Sequence, residues 1–388
     1  MKKRVLILVC ALALLLSIDV FASIKETTLK ADLKNDEIKS LLDSMTLEEK
    51  LSQMIIVDIP YIFDNDKQEE FTRVNESVEV FFRTRKPGGI ILFENNMKST
   101  EQTKEMIANI KKIKAKVPLF ISVDQEGGRI DKIPIKLNIP TAKSIGITGN
   151  PRKSYEAGKK IGKTLRELGF NLDYAPNMDV NTNPKNPIIG DRSFGSDVKK
   201  VSIFGVEFIK GLKKEGILST AKHFPGHGDT SGDSHKEFVE VPHDIKRINK
   251  IELAPFAAAI KGNVDFIMVG HISMPALDDT KTPASLSKPI VTDLLKDKMG
   301  FKGVVITDAL DMGAITQKYN KFEAVKLAIN SGCDIALMPD ITLIPGKDVS
   351  EYDDLMAYLR VEVQYGNIKE ERINDAVMRI LQAKAKIK

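Results

Sequence analysis

The chain has 388 residues, with 58 lysines and arginines against 53 aspartates and glutamates, five histidines, two cysteines and no tryptophan. A formal charge of +5 on a chain of this length implies no polybasic partner, which argues against nucleic acid, and two cysteines cannot build a disulfide scaffold. The length suffices for one large barrel or two ordinary domains, each held by a packed core.

The opening stretch, MKKRVLILVCALALLLSIDVFAS, sets three basic residues before an apolar run from Val5 to Leu16 and closes on small residues around Ala22. That is the form of a secretory signal peptide, too short for a membrane span. Cleavage is expected after Ala22, with a retained N-terminal anchor as the other reading. It would remove three positive charges and one negative, leaving about +3, and would leave Cys333 as the single cysteine. Residues 23–43 are polar and lysine-rich and read as a tether running into a first helix. Residues 44–388 form the main domain, which opens on MTLEEKLSQM, a capping box with Thr46 as N-cap and Glu49 three residues on. No later stretch reads as a membrane span.

Eight short apolar runs follow in chain order: QMIIVDI (53–59), GGIILF (88–93), PLFISVD (118–124), FNLDYAP (170–176), GILSTAKHF (216–224), DFIMVGHI (265–272), GVVITDA (303–309) and DIALMP (334–339). They are rich in β-branched residues and mostly uninterrupted, as parallel strands buried on both faces are. Helical stretches separate them, including 100–116, 154–169 and 322–332, and several end in glycine just before the next strand. The pattern predicts a (β/α)₈ barrel of the α/β class, with a doubly wound open sheet as the alternative. The barrel is favoured because Asp124, Asp173, Lys222, His223, His271 and Asp308 fall at or near the C-terminal ends of five different strands. In a barrel that rim is the catalytic face.

Residues 222–235, KHFPGHGDTSGDSH, hold three of the five histidines. Their glycines and proline predict a loop. Asp229, Asp233 and the histidines raise the possibility of a metal site. However, Pro225 and Gly226 prevent His223 and His227 from sharing a helical face, and a structural zinc site would need cysteines; no metal and no cofactor are expected. Asp233-Ser234-His235 instead places a carboxylate two residues before an imidazole, close enough to orient the ring and favour its charged form. Taken alone, that spacing more often belongs to a solvated polar loop.

The complete string resembles the signature of glycoside hydrolase family 3, in its β-N-acetylglucosaminidase branch. Further matches follow in the same order: GGIILF (88–93), DQEGGRI (124–130), GDRSFG (190–195), ITDALDM (306–312) and RINDAVMRILQAK (372–384). The resemblance spans roughly residues 40–387. It implies a retaining glycosidase with Asp308 as nucleophile, where the residues alone leave helix N-capping equally open. It also implies His235 as general acid/base and Asp233 as the carboxylate that tunes it. Lys222, His223, Asp124 and Arg192 match sugar-binding positions, with rim salt bridges as the other reading for Asp124 and Arg192. His271 reads as a pocket wall or as a satisfied core histidine, and Met312 as a pocket lining. His227 is expected to hold the loop, Arg129 and Asp191 to be structural, and His243 to be a turn residue without a role. Asp311 stands where the branch more often has serine or asparagine.

The implied reaction is release of terminal β-linked N-acetylglucosamine from short peptidoglycan-derived or chitin-type oligosaccharides, outside the cell or in the periplasm. The chain ends about fifty residues after the eighth strand, so a single-domain form is expected. β-Glucosidase or phosphorylase activity on the same scaffold, and an exported sugar-binding protein without catalysis, are the alternatives.

Overall fold

The computed structural model describes residues 35–65, 67–113, 115–338 and 349–387. The expected signal peptide lies outside the described residues. The chain divides into two units, Met1–Met45 and Thr46–Lys388. In the first, residues 35–43 are helical.

The second unit is built on eight parallel strands: β1 (Ile55–Val57), β2 (Gly89–Ile91), β3 (Phe120–Val123), β4 (Leu172–Asp173), β5 (Leu218–Phe224), β6 (Phe266–Val269), β7 (Val304–Thr307) and β8 (Ala336–Met338). Each lies within one of the eight runs expected to form strands, and every residue in them is buried. The order is β7-β6-β5-β4-β3-β2-β1-β8. The last gap closes through a parallel bridge between Ile306 and Ile335 and through amide bonds such as Thr307 N to the Ile335 carbonyl at 3.0 Å. The sheet is therefore a barrel. With no free edge, its backbone groups pair within the sheet. Inside it, Phe120 of β3 and Phe266 of β6 meet edge to face with ring centroids 5.3 Å apart, a geometry the ring quadrupoles favour.

Local sequence fixes where the surrounding helices start and stop. Thr46 and Glu49 form the full capping box of helix Leu47–Gln53, a device worth about 1 kcal/mol. Asn75, Ser99 and Asp197 cap the helices that begin after them by accepting backbone N–H bonds. Helices Pro151–Leu168 and Lys321–Ser331 stop at the left-handed glycines Gly169 and Gly332, each just ahead of the next strand. Short strand pairs outside the barrel depart from the expected pattern, and the longest is a hairpin. Between β1 and β2, Tyr61–Asp64 and Lys67–Glu70 form an antiparallel hairpin. Its second strand, KQEE, is exposed throughout and lacks the apolar alternation by which strands are recognised.

Candidate active site

The C-terminal strand ends surround a cleft of about 410 Å³ lined by Asp124, Glu126, Arg192, Lys222, His223, His235, Asp308, Asp311 and Met312 among others. Residues from loops after β3, β4, β5 and β7 therefore converge, as the barrel reading requires.

Asp308 follows β7 directly. Its backbone N–H donates to the Val269 carbonyl at 2.8 Å, and its carboxylate accepts from the N–H of Ala309 at 2.9 Å. Burial raises its pKa, but the His223 and His271 rings and the Ala309 N–H favour the charged form and hold it below the usual carboxylate range. The side chain is ready to act as an anion.

Facing the cleft from the loop after β5, His235 sends Nδ1 to Asp233 Oδ1 at 2.8 Å, and its backbone N–H reaches the same oxygen at 3.0 Å. Because a carboxylate only accepts, Nδ1 carries a proton and Nε2 is left as the nitrogen for proton exchange. Burial raises the Asp233 pKa, while the two bonds from His235 outweigh it and hold this carboxyl low. The ring is 58% exposed and Asp233 20%, so the pair is an accessible proton device rather than a core contact.

The opposite wall is a charge network. Lys222 Nζ lies between Asp124 Oδ1 at 2.5 Å and Glu126 Oε1 at 2.8 Å. Arg192 grips Glu126 with two bonds, 3.0 Å from Nε and 2.7 Å from Nη2. Burial alone would raise the Glu126 pKa; Arg192 and Lys222 reverse that and hold it well below the carboxylate range. Lys222 is 3% and Asp124 29% exposed, so the lysine is enclosed while the aspartate keeps an open edge toward the cleft. Beneath them, Asp173 is fully buried, accepts from the Gln125 N–H at 3.0 Å and has a pKa driven well up by burial.

His223 is held by Asp179. This buried carboxylate accepts from His223 Nδ1 at 2.8 Å, from the His227 N–H at 2.7 Å and from Asn177 Nδ2 at 2.8 Å. With a proton on Nδ1, His223 presents Nε2 to Arg192, 3.4 Å away. His227 takes no part in the cleft. Its nitrogens meet the hydroxyls of Thr230 at 2.7 Å and Ser234 at 2.9 Å, and burial pushes its pKa down to about 4. It is the loop holder the sequence suggested. Arg129 and Asp191 pair with each other at 2.9 Å, and Cys333 is buried just ahead of β8 with its thiol pushed up to about 12 by burial.

Two expectations need correcting. His271 does not line the cleft. It is fully buried, donating from Nε2 to the Ala309 carbonyl at 2.8 Å and pairing Nδ1 with the Ser285 hydroxyl at 2.7 Å. Its strand-end position matches that of a substrate ligand, but its ring is used to brace the residue after Asp308. His243, read as a turn residue without a role, is hydrogen-bonded through Nε2 to Asp229 Oδ2. Two residues not singled out from sequence are central here, Glu126 and Asp179. Glu126 was detectable: it stands two residues after Asp124, the spacing that puts side chains on one face of an extended segment. Asp179 had no local signal, because the histidines it holds are 44 and 48 residues away. Among the described residues, no group of three or more His, Cys, Asp or Glu side chains converges on a metal position.

A parallel barrel whose mouth sets an ionised aspartate opposite a carboxylate-held imidazole defines a class of barrel built for acid/base and nucleophilic chemistry at one cleft. The chain belongs to the glycosyl hydrolase family 3 N terminal domain family, which it matches over residues 46–383. It is 35% identical over 369 residues to the beta-hexosaminidase A of Pseudoalteromonas piscicida, covering 88% of this chain and 62% of that one. Among solved structures, it is similar to a glycoside hydrolase family 3 beta-N-acetylglucosaminidase from a Paenibacillus species, with a TM-score of 0.81, 34% identity and coverage of 88% and 63%. It is also similar to a beta-N-acetylhexosaminidase from Beutenbergia cavernae, with a TM-score of 0.76, 26% identity and coverage of 88% and 99%. The chain spans about six tenths of the length of the first two of these relatives.

Proposed function

We propose that the domain is a retaining exo-β-N-acetylglucosaminidase acting on short peptidoglycan-derived or chitin-type oligosaccharides. The observation that carries this reading is that Asp308 and His235, the latter held by Asp233, line one cleft. In the first step Asp308 attacks the anomeric carbon while His235 Nε2 protonates the departing oxygen. A glycosyl ester on Asp308 forms and the glycosidic bond breaks. In the second step the neutral imidazole takes a proton from water, which displaces Asp308 and releases the sugar. Positive charge develops on the sugar in the transition state of each step, where the entering or departing Asp308 carboxylate stabilises it. Asp124, Lys222, Arg192 and His223 bind sugar hydroxyls on the far side of the cleft.

Turnover of an activated aryl N-acetyl-β-glucosaminide, compared with the matching glucoside, tests this reading. Strong preference for the N-acetyl sugar, abolished in Asp308→Ala, is the expected result; equal turnover of both sugars would overturn the specificity. Adding phosphate separates hydrolysis from phosphorolysis through the appearance of a sugar phosphate. Export, read from residues 1–22, is part of the same proposal, and N-terminal sequencing of the native protein from cell fractions tests it.

A further inference from the structure

The loop that carries Asp233 and His235 leaves β5 at Phe224 and next enters regular structure at Val239–Glu240, which pairs in parallel with Ile272–Ser273. Early in the loop stands Asp229; just beyond its end stand His243 and Arg247. Asp229 Oδ2 takes a hydrogen bond from His243 Nε2 and lies 3.3 Å from Arg247 Nη2. Its other oxygen accepts from the Thr182 hydroxyl at 2.7 Å, and Arg247 reaches that hydroxyl at 3.2 Å and Glu252 at 3.4 Å. Asp229 is 18% and His243 26% exposed. This contact joins the two strands of the loop at its neck. His243 is close to a strand pairing that holds it in place, so the contact transmits that position to the loop.

The tip is held differently. The carbonyls of Ser234 and His235 accept from the N–H groups of Ala314 at 3.2 Å and Gly313 at 2.9 Å, both on the segment after β7. The Asp233–His235 pair thus sits between an attachment at the tip and one at the neck, with the His227–Ser234 bond beside it. None of the neck residues lines the cleft.

We propose that Asp229, His243 and Arg247 form a positioning latch that closes the neck of this loop and sets where the His235 imidazole stands over the cleft. The inference rests on the role assigned to His235 above. Opening the latch leaves the cleft residues intact but lets the proton-transferring nitrogen wander. A displacement near 1 Å from the productive geometry costs on the order of 10²-fold in rate.

The test compares full-length wild type, His235→Ala, His243→Ala, His243→Gln and Asp229→Asn on aryl N-acetyl-β-glucosaminides of graded leaving-group pKa, with and without azide. Azide attacks the anomeric carbon of the glycosyl-enzyme and expels Asp308 without needing a base. His235→Ala should lose most activity on the poorest leaving groups and regain turnover of activated substrates in azide, yielding the glycosyl azide. His243→Ala and Asp229→Asn should show the same pattern more weakly, about 10- to 100-fold on poor leaving groups. His243→Gln, which keeps a donor near the Nε2 position, should recover most of that loss. Equal loss across all leaving groups without azide rescue would reduce the contact to a structural brace and overturn the latch, as would unchanged kinetics. If His243→Ala does not fold, Asp229→Asn against His243→Gln makes the same comparison. Absence of the pattern in His235→Ala itself would remove the underlying role, and the latch with it.

Discussion

Both ends of the barrel bury charged side chains, and they do so to different ends. At the N-terminal end, Asp334 is fully enclosed and saturated: Lys296 at 2.7 Å, Arg372 at 2.5 Å and the Val305 N–H at 2.9 Å. At the C-terminal end, Glu126, Lys222, Arg192 and Asp124 are bonded as tightly, yet this cluster forms the wall of an open cleft. Burial and pairing are thus common to both clusters, and neither marks a functional site. The distinguishing feature is a paired group with an edge turned to a space where substrate fits, as Asp124 has and Asp334 has not.

The largest effect expected on the open end is from Asp308→Ala, which should lower turnover by a factor on the order of 10⁴ with little change in melting temperature. Single-turnover assays beside thermal unfolding check this. At the closed end the signs reverse. Asp334→Ala leaves the enclosed Lys296 without its anion and should cost about 3–5 kcal/mol of stability, read from denaturant midpoints, while the folded fraction keeps its kcat. A matching loss of kcat there would break the contrast between the ends.

The pH dependence of stability sharpens it further. Burial pushes the Asp334 pKa up, but Lys296, Arg372 and Arg379 reverse this and hold it low. A depressed carboxyl stabilises the fold fully above its unfolded pKa, about 3.9, and loses that contribution as pH falls toward the folded value. The stability difference between wild type and Asp334→Asn should therefore be largest near neutrality and shrink below about pH 4. Back at the open end, Glu126→Gln should raise KM about tenfold with a smaller change in kcat, since uniform binding is what the wall supplies. A fall in kcat alone would assign Glu126 to the chemical step. The smallest effect is expected from Gly313→Ala. A Cβ there would meet the Lys236 carbonyl oxygen at 2.6 Å and that of His235 at 3.0 Å, so the loop tip must shift. Poor leaving groups should lose roughly three- to tenfold.

How much of this was legible in the sequence follows from the range of each interaction. The eight strands were, because a strand buried on both faces writes a continuous apolar run, and so were the capping box at Thr46 and the glycine stops, which act within four residues. The exposed KQEE strand was not, having no buried face to impose a pattern. Asp233–His235 was visible as a local pair, whereas Asp229–His243 was not, because the two residues are 14 positions apart and meet only after the loop folds back. His271 shows the opposite failure. Its place at a strand end was right for a ligand, and only the three-dimensional direction of the ring could show that it braces Ala309 instead. The loop's glycines predicted only a loop, and Gly228 packs where a Cβ would lie 2.0 Å from the Val180 carbonyl oxygen. It serves close approach rather than freedom.

The amide bonds from Gly313 and Ala314 to the His235 and Ser234 carbonyls carry a further consequence. The loops after β5 and β7 are separated by some seventy residues of chain, yet at their tips they are one piece of backbone. The span between the Asp308 carboxylate and the His235 ring is therefore a single mechanical length. An insertion between Asp308 and Gly313 would move the histidine as surely as an insertion beside it, and grafting either loop onto another barrel without its counterpart would carry across half of a ruler.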